Sequence, residues 1–136
     1  MSVFSDISQS QWVLETKYFF VIRDAYPVTE GHSLIISKRE ASDYFELNTD
    51  ERQDLNTAIE ATRDNLVESF GVNDFNIGMN CGKYAGQTVF HFHCHMIPRR
   101  EGDVEDPSYW SQTRPSIHLD IQERLIYTSL QALLRS

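Results

Sequence analysis

Two cysteines in 136 residues are too few for a disulfide framework, so packing must hold the core. Cys94 reads as a small core residue, and Cys81, in a glycine-bearing loop, reads as exposed. Positive charge is also scarce. Twelve Lys and Arg against 20 Asp and Glu leave a net charge of −8, which opposes non-specific binding to nucleic acid or anionic membrane. An anionic small substrate remains open, through local donors only. No window reaches transmembrane length. The opening residues, Met1 to Asp6, have neither a basic run nor an apolar one, so the expected location is the cytoplasm. There is no internal repeat, low-complexity tract or domain boundary. A 40% hydrophobic content is enough for one packed domain over residues 1–136.

Alternation and breakers divide the chain. Residues 1–16 carry a weak pattern in which Phe4, Ile7, Trp12 and Leu14 can pack. Lys17–Asp24 is nearly continuous in aromatic and β-branched residues and predicts a strand. Pro27 and Gly31 mark a turn, and His32–Ser37 predicts an antiparallel partner strand. A helix is predicted from Asn48 or Thr49, with Asp50 and Glu51 at its positive end. Its apolar stripe is Leu55, Ile59, Thr62, Leu66 and Phe70, and Gly71 ends it. Asp74–Asn80 alternates as another strand. Residues 103–117, with Tyr109 and Trp110, form a long connection of the kind often found at functional sites or interfaces. Residues 119–135 predict a C-terminal helix. The sum is an α+β layout, with about five antiparallel strands, one long helix and a C-terminal helix.

The most informative stretch runs from Gly86 to Pro98 and predicts a strand. Side chains alternate along a strand, so His91, His93 and His95 share one face while Phe90, Phe92, Cys94 and Met96 take the apolar one. Neighbouring same-face positions lie roughly 6.6 Å apart, so two adjacent imidazoles can straddle one tetrahedral group. Three readings compete: a solvated face, a metal site using His-x-His, or nucleophilic catalysis by histidine at phosphorus. The sequence offers no nearby Cys/His set to complete a structural metal site.

His91-Phe92-His93-Cys94-His95-Met96-Ile97 resembles the histidine triad motif, His-φ-His-φ-His-φ-φ, where φ is hydrophobic. Gly86-Gln87-Thr88-Val89 before it and Pro98-Arg99-Arg100-Glu101-Gly102-Asp103 after it are similar to the fragile-histidine-triad and dinucleoside-polyphosphate hydrolase side of that superfamily. Gly31 to Lys38 resembles a second family element, with Ser37 replacing its usual proline. The resemblance implies a hydrolase or nucleotidyl transferase that cleaves at the α-phosphate of a nucleoside 5′-phosphate derivative. It implies His93 as nucleophile, His95 as the phosphate and leaving-group contact, and His91 as the residue orienting His93. It implies His32 as a fourth histidine, Asp24 at the ribose hydroxyls, Asn80, Gln87 and Thr88 around the phosphates, and Ile22 in the base pocket. It also implies a homodimer that extends the sheet across a two-fold axis. No tightly bound metal or cofactor is expected, although magnesium can accompany a polyphosphate substrate. The alternative is a nucleotide-binding regulatory or interaction protein with little turnover.

Overall fold

The computed structural model describes residues 2–24 and 27–104. The C-terminal helix expected over 119–135 and the Tyr109–Trp110 segment lie outside the described residues. Five strands form one antiparallel sheet: β1 (Leu14–Glu15), β2 (Phe19–Arg23), β3 (Ser33–Ser37), β4 (Asp74–Gly78) and β5 (His93–Arg99). Their spatial order is β1-β2-β3-β5-β4, so β5 sits inside the sheet and β4 at its edge. One long helix, α1 (Thr49–Phe70), joins β3 to β4. The fold is α+β, as the sequence predicts.

The two sheet faces carry different chemistry. Val21, Ile35, Cys94 and Met96 point toward α1 and close on Leu55, Ala58 and Leu66. Phe20, Ile22, Leu34 and Ile36 point the other way and pack with Phe4, Ile7 and Val89. Burying each large aliphatic or aromatic side chain contributes about 1.5–3 kcal/mol. The helix thus covers one face, and the other is left to carry His93 and His95.

Local chemistry fixes the limits of α1. The Asn48 side chain accepts from the Glu51 N–H at 2.8 Å, and the Glu51 carboxylate accepts from the Asn48 N–H at 2.9 Å. These reciprocal bonds satisfy two amide donors that a helix start otherwise leaves unpaired. Glu51 is buried and also receives two hydrogen bonds from the Arg39 guanidinium, which holds its carboxyl below the usual range. Gly71 ends the helix at φ +67, a left-handed conformation that glycine adopts without strain. At the same end, Gly31 (φ +91) lies so near the Phe70 ring that an added Cβ would meet it at 3.0 Å. Glycine therefore allows the β2–β3 turn to rest on the helix, with His32 directly after it.

Candidate active site

β5 begins at His93, not at Gly86 as the alternation predicts. Gln87 is the physical reason. Its Oε1 accepts from the Gly82 N–H at 2.8 Å, and its Nε2 donates to Ser42 O at 2.6 Å and Val89 O at 3.1 Å. These bonds fold residues 82–89 into a loop before strand pairing starts at His93, opposite Ile36 of β3. Phe90, expected on the core face, is 54% exposed as a result. Phe92, Cys94 and Met96 do enter the core.

The triad histidines are all buried and are held by a chain of directed bonds. His93 Nδ1 lies 2.7 Å from His91 O. A carbonyl only accepts, so Nδ1 carries the proton, and in the neutral ring the lone pair lies on Nε2. His91 thus orients His93 through its backbone carbonyl, whereas its ring is committed elsewhere. His91 Nε2 donates to Ser37 O at 2.7 Å, and His91 Nδ1 faces the Ser2 hydroxyl. Farther along the sheet, the Val28 N–H donates to His32 Nδ1 at 3.1 Å. The proton of neutral His32 then sits on Nε2, 3.1 Å from His95 Nδ1. His95 accepts there and presents its own Nε2–H. The His93 and His95 rings stand 5.6 Å apart between centroids and near-perpendicular. The site therefore sets a lone pair beside an N–H donor, an arrangement suited to attack at phosphorus with stabilisation of the developing charge.

Burial keeps His91 and His95 neutral. Desolvation holds the His95 pKa well below 6.5, helped by the nearby His32 and His93. Desolvation also lowers the pKa of His91, against the opposing pull of Ser37 O and Glu40. In the free protein His95 therefore donates as a neutral ring. Burial pushes the Cys94 thiol up to about 12.

These shifts predict how stability depends on pH. Below about pH 6.5 the unfolded chain binds protons on His91 and His95 that the native site refuses, so stability falls as pH falls. Above about pH 9 the unfolded thiol ionises while native Cys94 stays protonated, so stability falls again. Thermal unfolding from pH 5 to 10 is expected to show a plateau between those limits. A Tm that rises from pH 6.5 to 5 would contradict it.

The remaining expected residues fall in different places. Asp24 is buried, with Oδ2 3.7 Å from His32 Nδ1. Ile22 lies in the apolar cluster on the histidine side. Asn80 is half-buried beside Gly86, where an added Cβ would meet its Nδ2 at 3.4 Å, and Thr88 is exposed. Gln87 differs from expectation, because both of its amide hydrogens are committed to loop carbonyls and not to a phosphate.

Sequence reasoning missed the contribution of the amino-terminal turn. Ser2 caps the short 3₁₀ turn Val3–Asp6 and also reaches His91. Phe4 packs edge-on against both His91 (5.6 Å) and His93 (5.1 Å). The one available signal was Ser2 two residues before Phe4, a weak capping pattern.

Among the described residues, no group of three His, Cys, Asp or Glu side chains is placed to hold a metal ion, and no helix is long and apolar enough to cross a membrane.

Comparison with known proteins agrees with this fold. The HIT domain model matches residues 6–102. The bis(5′-adenosyl)-triphosphatase of Dictyostelium discoideum is 33% identical over 100 residues, covering 74% of this chain and 67% of its own. The adenosine 5′-monophosphoramidase of Saccharomyces cerevisiae is 34% identical over 89 residues, covering 65% of this chain and 54% of its own. The crystal structure of a HIT family protein from Bacillus anthracis superposes with a TM-score of 0.63 at 33% identity, covering 68% of this chain and 66% of that one. Sequence motif, fold and family model coincide over the same residues, and the chain belongs to the HIT domain family.

Proposed function

We propose that this protein is a hydrolase or nucleotidyl transferase acting at the α-phosphorus of a nucleoside 5′-phosphate derivative, through a nucleotidyl-His93 intermediate. The observation that carries this reading is the fixed tautomer of His93, with Nδ1–H held by His91 O so that the ring's lone pair lies on Nε2. In the first step that lone pair forms a P–N bond while the bond to the leaving group breaks, its electron pair departing with that group. His95 Nε2–H hydrogen bonds the charge that develops. In the second step water attacks the same phosphorus. The P–N bond breaks, its electron pair returns to Nε2, and the surplus proton passes to solvent. Ile22 and the apolar cluster around it take the base. Asn80, Thr88 and backbone N–H groups serve the phosphate oxygens, and magnesium arrives with a polyphosphate substrate.

Assays of the purified protein with dinucleoside polyphosphates, adenosine phosphoramidates and adenylyl sulfate test the reading. Release of the nucleoside monophosphate from at least one of them is expected. Tight nucleotide binding without turnover on any would replace it with the regulatory alternative.

Asp24 is assigned to the ribose hydroxyls. Hydrogen bonds to a charged group contribute about 1.5–3 kcal/mol, so Asp24→Ala is expected to lower kcat/KM by roughly tenfold to a hundredfold. The loss should be large for ribonucleotides and small for 2′-deoxy substrates. Equal losses on both would make Asp24 a support of His32 alone.

Among the described residues β4 has no strand on its outer side, and with Ile77 half-exposed this edge suits pairing with a second copy across a two-fold axis. Light scattering is expected to give a dimer at micromolar concentration, and a monomer would reject that assembly.

A further inference from the structure

The triad does not use up the histidine face. Register carries that face onward from His93 and His95 to Ile97 and Arg99, and across to β4, where Gly78 lies opposite His95 and Asn76 opposite Ile97. Arg99 is 7% exposed. Its Nη2 donates to Asp103 Oδ1 at 2.8 Å, but Nε and Nη1 are buried with no hydrogen-bond partner among the described residues. Diagonally across the strand pair, Asn76 Oδ1 is also buried without one. Buried guanidinium N–H groups are almost always bonded, and two such atoms on the catalytic face call for an acceptor. Gly78 has no side chain, so nothing from β4 rises between His95 and this pair.

The face is therefore graded. Phe20, Ile22 and Ile36 form an apolar end, the histidines form the centre, and Arg99, ion-paired with Asp103 and opposite Asp74, forms with Asn76 a hydrogen-bonding end. Four residue steps along the strand separate His95 from Arg99, about 13 Å between backbones. A compact leaving group such as an amine or sulfate ends close to the scissile bond. A phosphate chain runs on toward the Arg99 end.

We propose that Arg99 and Asn76 form a distal subsite that binds the anionic part of the leaving group, and so select substrates whose leaving group is itself a phosphate or nucleotide. The Arg99 fork donates to a non-bridging phosphate oxygen through Nε and Nη1. The subsite rests on the proposed reaction for its catalytic meaning, but not for its existence, because binding of an oligophosphate requires no turnover.

Two measurements separate these. The first is calorimetric titration of inorganic tripolyphosphate into the wild-type protein, Arg99→Met and Asn76→Asp. Asn76→Asp places a carboxylate beside the guanidinium and should satisfy it from within. That variant is expected to keep or raise Tm while losing tripolyphosphate affinity by about tenfold or more, which guards against the chance that Arg99→Met fails to fold. The second is kcat/KM for a dinucleoside polyphosphate against an adenosine phosphoramidate. Both variants should lose about 10- to 100-fold on the first and little on the second. Equal loss on both substrates, or unchanged tripolyphosphate affinity in Asn76→Asp, would overturn the subsite. Tripolyphosphate binding that depends on Arg99, in a protein that cleaves neither substrate, would keep the subsite and reject the reaction.

Discussion

His93→Ala is expected to abolish turnover, with a loss on the order of 10⁴–10⁶ in kcat, the scale seen when a covalent nucleophile is removed. The expectation follows from the hydrogen bonds alone. His91 O fixes the Nδ1 proton, so the ring's nucleophilic lone pair lies on Nε2, and alanine removes it. Rapid quench of the wild-type protein under mildly alkaline conditions, which spare an acid-labile P–N bond, should give chain heavier by one nucleotidyl group. The added mass should map to the peptide holding His93, and His93→Ala should show none. The fold should survive, because Phe4 also packs on His91, and β5 keeps its pairing with β3 and β4. Substantial activity in His93→Ala would move the chemistry to another group.

His95→Ala carries the second-largest expected effect, about 10²–10³ in kcat, typical of removing one donor aimed at developing charge. The effect should depend on the leaving group. A polyphosphate leaves as a weak base and needs little help, whereas an amine is a poor leaving group and needs more. The rate should therefore fall most steeply for phosphoramidates. Because burial holds His95 neutral, its donor is present in the free protein throughout the physiological range. A uniform loss across leaving groups would place His95 in substrate binding alone. His32→Ala should act in the same direction but more weakly, since it only orients the His95 ring.

Sequence patterns anticipated what depends on local chemistry. The Asn48 cap and the Gly71 stop fix α1 within a residue because capping is a local hydrogen-bond problem. The strands around Phe20 and Ile35 follow from β-branched and aromatic runs that two buried faces demand. Alternation failed before His93, since Gln87 spends its amide on carbonyls at Ser42 and Val89, and the first of these is 45 residues away. The same limit explains Ser2 and Phe4. Their partner His91 is distant in the chain, and no periodic signal reports such a contact. The protonation of His95 was hidden too, because it is set by burial and by His32, not by residue type. Arg99 read as a flanking residue. Only the strand register places it on the catalytic face, where two of its nitrogens have no partner among the described residues.

Stereochemistry at phosphorus tests the central claim most directly. A substrate made chiral at the α-phosphorus with sulfur and oxygen isotopes should be cleaved in isotopically distinct water and its product configuration determined. Displacement by His93 followed by displacement by water is two inversions, so the account predicts net retention. Net inversion would mean that water attacks the substrate directly and that no nucleotidyl-His93 forms.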